Sequence, residues 1–159
     1  MRQTLSNARI VLADRTIMGS VTIDDGIITA VDAADGGDGV DFEGDFLLPG
    51  IIDLHTDNIE HHLHPRPAVR WPSSIAAVLS HDWQVLGAGI TTVLDSLSMG
   101  DYDSKGQRTA MLEAAIGAVT EAKAAGLLKS DHYFHFRCEL SDAGLLDLAE
   151  RHIDNPALR

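Results

Sequence analysis

The chain has 159 residues, is 45% hydrophobic and carries a formal net charge of -12, with 24 acidic against 12 basic residues. This length and apolar content are enough for a buried core, whereas the acidic balance argues against nucleic acid and anionic lipid as partners. The single cysteine, Cys138, cannot form an internal disulfide. No apolar run approaches the roughly 20 residues that cross a bilayer, and the N-terminus lacks a signal-peptide pattern. We therefore expect a cytoplasmic protein without membrane contact.

The first part of the chain predicts short strands joined by turns. β-like runs occupy residues 8–12, 20–23 and 27–31, and the turn Asp24-Asp25-Gly26 precedes the third run. This pattern indicates a small antiparallel meander. The glycine-rich residues 33–39 predict a loop, with a domain boundary there or shortly after it.

From residue 46 onward, strands alternate with longer helical patterns, which indicates βα units and a parallel sheet. We predict strands over residues 47–57, 90–97 and 132–140, and helices over 73–86, 105–125 and 141–152. Ser73 or Ser74 is expected to cap the first helix and Ser141 the last. Residues 58–71 are predicted to form a loop.

Acidic and imidazole side chains stand at the end of the first parallel strand. Asp53, His55 and Asp57 are two residues apart, so they share one face of the strand. Active sites of parallel barrels lie at the carboxyl ends of their strands, where His55 and Asp57 could grip a divalent ion such as zinc, manganese or iron. The alternative is that His55 only forms a hydrogen bond and Asp57 caps the following loop.

The third strand alternates between an apolar and a polar face. Phe134, Phe136, Cys138 and Leu140 form the apolar face, and His135, Arg137 and Glu139 form the polar one. Turned into a barrel, three ionisable groups would need an ion or a charged substrate as partner. The alternative is a polar face toward solvent.

Two further polar features precede the third strand. Asp95 is expected at the rim of the second strand, as a cap or as support for another group. His81 and Asp82 are adjacent in the first helix, so they are expected on different faces, which excludes a catalytic triad.

The predicted loop carries a candidate contact for an anionic substrate. Arg66 stands between Pro65 and Pro67, which restrict the backbone and could present the guanidinium group to a phosphate. An ordinary surface arginine is the alternative.

Three segments of the chain resemble the amidohydrolase superfamily. They are Asp25-Gly26-Ile27-Ile28-Thr29-Ala30-Val31, Leu48-Pro49-Gly50-Ile51-Ile52-Asp53-Leu54-His55 and Gly89-Ile90-Thr91-Thr92-Val93-Leu94-Asp95. The resemblance implies an α/β fold in which a small β-sandwich segment, residues 1–45, precedes the first three βα units of a TIM-type (β/α)8 barrel, residues 46–159.

A narrower resemblance is to the PhnM family of phosphonate metabolism, whose members are alpha-D-ribose 1-methylphosphonate 5-triphosphate diphosphatases. The similar segments are His55-Thr56-Asp57-Asn58 with Glu60, Pro65-Arg66-Pro67 with Trp71, Ser80-His81-Asp82, Asp95-Ser96 with Gly100-Asp101, and His135-Phe136-Arg137-Cys138-Glu139-Leu140.

By analogy with that family, one or two divalent metal ions would be held by His55, Asp57 and Glu139. The substrate would be a phosphorylated small molecule that Arg66 contacts. The superfamily commonly has His-x-His on the first strand, and the His-x-Asp of this chain fits the narrower family.

A complete barrel takes about 250 residues, so the chain is expected to hold only part of an active site and to be inactive alone. The general acid and base are expected in the C-terminal part, and a missing barrel half or self-association is expected to cover the open edges. Two other functions stay open: another amidohydrolase acting on a cyclic amide, and a non-catalytic interaction domain.

Overall fold

A computed structural model describes residues 1–34, 38–101 and 107–159. The chain divides into two compact units, Met1–Pro49 and Gly50–Arg159, whereas the sequence prediction placed the boundary after residue 45. Residues 35–37 of the predicted glycine-rich loop lie outside the described residues. Over the described ranges, no helix is both long and apolar enough to span a membrane.

The first unit is one five-stranded sheet with the order β3-β2-β1-β4, and β5 also pairs with β1. Its strands are β1 (Arg2–Val11), β2 (Thr16–Asp24), β3 (Ile27–Asp32), β4 (Val40–Asp41) and β5 (Phe46–Leu47). β1, β2 and β3 are antiparallel, which confirms the predicted meander, while β4 and β5 run parallel to β1. A second layer that would make this sheet a sandwich stays a prediction.

The hairpin between β2 and β3 forms where the turn residues predicted it. Asp25 and Gly26 have φ angles of 47° and 80°, and two successive residues with positive φ match the twist of the flanking strands. Ala8, Ile10 and Val21 form the buried centre of this unit.

The second unit is a three-stranded parallel sheet with helices between its strands. Its elements in chain order are β6 (Ile51–Thr56), α1 (Asn58–Leu63), α2 (Ser74–Gly87), β7 (Ile90–Met99), α3 (Gln107–Ala124), β8 (Asp131–Cys138) and α4 (Leu145–His152). β7 lies between β6 and β8, and both pairings are parallel. The three predicted βα units are therefore present in sequence order.

Helix α2 begins as predicted, because the Ser73 hydroxyl accepts a hydrogen bond from the backbone N–H of Ala76. The predicted cap of the last helix is wrong. Gly144 occupies the N-cap position of α4, and the Ser141 hydroxyl instead donates to Glu139 at 2.7 Å.

The sequence prediction also missed a helix in the segment after the first parallel strand. α1 occupies the start of the predicted loop, with Ile59 and Leu63 buried one turn apart. The strand before it is shorter than predicted, since Leu47 belongs to β5 and β6 begins only at Ile51. The consequence is that α1 follows Asp57 directly and lies over the carboxyl ends of the strands that hold the candidate site.

The core of the second unit lies between the sheet and its helices. It combines one face of β7, represented by Leu97 and Met99, with Leu112 and Val119 of α3 and Phe134 of β8, all at most 1% exposed. The apolar face predicted for β8 is only half realised. Phe134 and Phe136 pack against the core, whereas Cys138 is exposed and Leu140 is 87% exposed, because the strand ends at Cys138.

Candidate functional site

The carboxyl ends of β6 and β8 bring together two histidines and a carboxylate. His55 Nε2 lies 3.6 Å from Asp57 Oδ1, and the rings of His55 and His135 meet edge to face with centroids 5.0 Å apart. Asp53 lies one strand repeat earlier, and its carboxylate accepts a hydrogen bond from the backbone N–H of His55. We call His55, Asp57, Glu60, His135 and Arg137 the rim cluster.

Glu60 of α1 contacts both β7 and β8 at the rim. One of its carboxylate oxygens accepts the backbone N–H of Ser98 at 2.8 Å, and the other lies 3.1 Å from a terminal nitrogen of Arg137. That nitrogen also donates to the Ser98 hydroxyl at 2.8 Å. Arg137 Nε lies 3.4 Å from Asp57 Oδ1, so one guanidinium group faces two carboxylates and balances part of their charge.

The rim also holds every buried side-chain polar atom that lacks a hydrogen-bond partner in the described part of the chain. These atoms are Asp57 Oδ1, Arg137 Nε and Ser96 Oγ. Ser96 pairs in register with His135 and lies two residues before Ser98, so it is on the same face of the sheet. Buried polar groups in folded proteins are almost always satisfied, so unsatisfied atoms concentrated in one place indicate a site that takes a ligand.

The donor set at the rim fits a divalent metal. An imidazole and a carboxylate whose buried oxygen accepts no hydrogen bond are ligands that zinc, manganese and iron accept.

Glu139, the third predicted ligand, follows β8 directly, and its contacts lie at the edge of this group. Its carboxylate accepts the Ser141 hydroxyl and backbone N–H, and Arg108 lies 3.6 Å away. The hydrogen bonds from Ser141 lower the pKa of Glu139, with Arg108 adding to this effect. Among the described residues, His55, Asp57 and Glu139 do not form a group with ligand atoms within 4.8 Å of one another. Metal binding by these three residues stays a prediction.

Arg66, the predicted phosphate contact, is exposed in a tight turn with Pro67. The backbone N–H of Val69 donates to the Arg66 carbonyl at 3.0 Å, and Ala68 has a φ of 59°. The turn fixes the backbone but leaves the guanidinium group in solvent. Its role in binding a substrate stays a prediction.

A second polar cluster, which the sequence analysis did not predict, lies on the helix side of the sheet. We call His81, Asp82, Asp95 and His132 the buried relay, because all four are 0% exposed and hydrogen-bonded in series. His81 Nε2 lies 2.7 Å from Asp95 Oδ1, His132 Nδ1 lies 2.7 Å from Asp95 Oδ2, and His132 Nε2 lies 3.3 Å from Asp82 Oδ1.

Two sequence-based placements are therefore wrong. His81 and Asp82 both belong to the buried face of α2, because adjacent helical residues are only about 100° apart and this face is wide enough for both. Asp95 is not at the rim, because β7 continues to Met99 and the Asp95 side chain points to the helix side.

Hydrogen-bond directions in the buried relay follow from groups that can only donate. The backbone N–H groups of Lys129 and Ser130 donate to Asp82, so its carboxylate accepts. His132 lies between this carboxylate and that of Asp95, and both ring nitrogens donate. Burial alone would lower the pKa of His132, but the hydrogen bonds and charges of Asp95 and Asp82 outweigh it and raise the pKa.

Asp95 is held as a carboxylate by the same contacts. Its burial would raise the pKa, yet the hydrogen bonds from His132 and His81 outweigh that effect and lower it. His81, Asp95 and His132 have ligand atoms within 4.8 Å of one another and so form a second candidate metal group. The ring nitrogens of this group are already hydrogen-bonded, and a metal would have to displace those protons. The rim fits a metal better, because Asp57 Oδ1 accepts no hydrogen bond and a metal there would displace only its ion pair with Arg137 Nε.

Comparison with known proteins gives one informative relative in sequence. The alpha-D-ribose 1-methylphosphonate 5-triphosphate diphosphatase of Escherichia coli (strain K12) is 38% identical over 149 residues, which is 92% of this chain and 39% of the relative. The resemblance to amidohydrolases of the PhnM type is confirmed. The chain spans about two fifths of that relative's length. No protein-family model matches it.

Solved structures agree on the fold. An uncharacterized metal-dependent hydrolase from Pyrococcus furiosus matches 100% of this chain and 55% of its own, with a TM-score of 0.61 and 13% identity. A 5-methylcytosine deaminase from Klebsiella pneumoniae matches 98% of this chain and 42% of its own, with a TM-score of 0.68 and 16% identity. At such low identity these matches show the fold of the chain and not its chemistry.

Proposed function

We propose that this chain supplies the first part of the active site of a metal-dependent diphosphatase that acts on alpha-D-ribose 1-methylphosphonate 5-triphosphate. The observation that carries the proposal is the concentration of unsatisfied buried polar atoms beside His55 and Asp57. The identity to the Escherichia coli diphosphatase supports the choice of substrate. Because the chain covers only 39% of that relative, the general acid and base are proposed to lie in the part that this chain does not match.

In this reaction the bond between the α- and β-phosphoryl groups breaks, water is consumed, and the products are the 5-phosphate and pyrophosphate. A divalent metal, when bound, supplies an acidified water and polarises a phosphoryl oxygen. His55, Asp57 and Glu139 are proposed to hold it.

Charge balance assigns roles to the two arginines. Arg137 is proposed to hold Asp57 and Glu60 in place, since it contacts both carboxylates. Arg66 is proposed to contact a phosphate of the substrate from its turn. The overall charge of -12 makes these local cations important, because an anionic substrate is otherwise repelled.

The test uses the natural gene product that carries this chain, loaded with zinc or manganese, and follows pyrophosphate release from the triphosphate. We expect His55→Ala and Asp57→Asn to lose both bound metal, by elemental analysis, and activity, by about 100-fold or more. His61→Ala is the control, because His61 is an exposed histidine of α1 outside the rim cluster. Full activity in the His55 and Asp57 variants, or hydrolysis of a cyclic amide in place of the triphosphate, would refute the proposal.

Arg66 is tested in the same assay. Arg66→Ala is expected to raise KM by about 10-fold with little change in kcat, as for one lost charge-assisted contact to bound substrate. Arg151→Ala, an exposed arginine of α4, is the control. An unchanged KM would exclude Arg66 from substrate binding and leave the metal proposal standing.

A further inference from the structure

Asn58 connects the buried relay to the rim cluster. It is the first residue of α1 and follows Asp57 directly. Its side-chain nitrogen lies 3.3 Å from His81 Nδ1 and 3.0 Å from Gln84 Oε1. An amide nitrogen carries two hydrogens, so each of these acceptors on α2 receives one.

The direction of the bond to His81 is fixed from inside the molecule. Asp95 accepts the hydrogen of His81 Nε2, and the amide nitrogen of Asn58 can only donate, so His81 Nδ1 offers its lone pair. The side-chain amide of Asn58 donates a hydrogen bond to this lone pair. The hydrogen bonds of the relay thus require a side chain that donates a hydrogen bond at position 58, directly after Asp57.

Helix α1 depends on such outside contacts for its orientation. It has only six residues, and its N-cap residue, Asp57, makes no capping hydrogen bond with its side chain. Isolated helices this short are unstable in water, so tertiary contacts must hold it. Asn58 fixes its start, the buried Ile59 and Leu63 fix one face, and Glu60 reaches Ser98 and Arg137.

We propose that Asn58 is a positioning residue, through which the buried relay fixes α1 and thereby aims Asp57 and Glu60 at the rim. The consequence for the metal rests on the proposed function, whereas the consequence for α1 does not. Residues that orient metal ligands without binding the metal themselves commonly change metal affinity by about 10–100-fold when they are replaced.

The experiment measures zinc affinity by chelator competition in the natural gene product. Asn58→Ala and His81→Gln are each expected to weaken zinc binding about 10-fold, and the double variant no more than either alone, because both break the same connection. Ser80→Ala is the control, because among the described residues the Ser80 hydroxyl bonds only within α2, to the carbonyl of Ala76. Additive losses, or lower thermal stability with unchanged affinity, would overturn the inference.

A second readout needs no metal. The backbone N–H of Ser98 donates to Glu60, and no described contact joins Ser98 to Asn58. Its amide NMR signal is expected to shift in Asn58→Ala and not in Ser80→Ala. If the protein binds no metal, the proposed function fails, but the Ser98 amide signal still tests the inference about Asn58. A Ser98 signal that does not shift in Asn58→Ala would refute that inference.

If His81→Gln does not fold, Asn58→Asp replaces it. The new carboxylate would place oxygens against the lone pair of His81 Nδ1 and against Gln84 Oε1. We expect zinc affinity to fall at least as far as in Asn58→Ala. Affinity equal to that of the unmodified protein would contradict the inference.

Discussion

Replacing Asp95 with asparagine tests the buried relay most directly. The substitution keeps the side-chain volume, so it opens no cavity, but it removes the charge that two histidines share. Asp95 accepts two bonds of 2.7 Å, and the asparagine nitrogen must face a ring nitrogen that now donates. Hydrogen bonds to charged groups contribute about 1.5–3 kcal/mol each, and breaking a buried ion pair costs about 3–5 kcal/mol. We therefore expect the free energy of unfolding to fall by about 3–5 kcal/mol.

The assay is urea denaturation followed by far-UV circular dichroism at several pH values. Asp131→Asn is the matched control, because Asp131 is an exposed carboxylate adjacent to His132 and should change stability by no more than about 0.5 kcal/mol. In thermal melts the Asp95 variant should unfold roughly 6–20 °C lower, at about 2–4 °C per kcal/mol for a chain of this size. A loss below about 1 kcal/mol, or one equal to that of the control, would refute the ionic description of the relay.

The pH dependence of this loss has a definite sign. The pKa of Asp95 is lowered, so its contribution is present above the unfolded value of about 4 and is lost as the pH falls through the folded value. The pKa of His132 is raised, so its contribution is present below about 6.5 and is lost as the pH rises through the folded value. The difference between the unmodified protein and Asp95→Asn should be largest between these limits.

Three further predictions concern stability. The unmodified protein should lose stability as the pH rises from 6.5 through the raised pKa of His132, and His132→Asn should abolish that slope in urea titrations. Ser73→Ala should cost about 1 kcal/mol by loss of the α2 cap, whereas the neighbouring Ser74→Ala should cost less; equal losses would contradict the cap. Gly19→Ala should destabilise by about 1–3 kcal/mol, because a Cβ there would overlap the Asp32 carbonyl, whereas Gly117→Ala in α3, with open space around it, should stabilise by about 0.5–1 kcal/mol in thermal melts.

Much of the fold follows from local sequence. The β-branched run from Ile90 to Val93 predicted the start of β7, and Ser73 predicted the start of α2, because each is a signal within a few residues of the element it defines. Helix α1 could not be predicted this way. A six-residue helix shows only one apolar repeat, Ile59 with Leu63, and polar histidines fill the rest.

In the candidate site, too, the residues predicted from the sequence are those with a local signal. His55 and Asp57 were found because a two-residue spacing in a strand places side chains on one face, and the structure brings this pair together. Glu60 was not identified as a rim residue, since it reaches Arg137 from 77 positions away in the sequence. The buried relay joins α2 to β8 across 50 positions of the sequence. A histidine and an aspartate on the otherwise apolar face of α2 are the signal that could have indicated it.

The two polar clusters lie on opposite faces of the same strands, and this arrangement explains why one can support the other. On β7, Asp95 and Ser98 are three residues apart, and on β8 so are His132 and His135, so in each pair one side chain faces the helices and the other faces the rim. Side chains cannot pass through the sheet, so the connection between the buried relay and the rim cluster goes around the carboxyl end of the sheet. Helix α1 lies at that end, and its first residue touches α2 while Glu60 touches the rim. A relay that is fully buried and satisfied has few alternative arrangements, and it therefore offers α1 a more rigid support than solvated polar groups would.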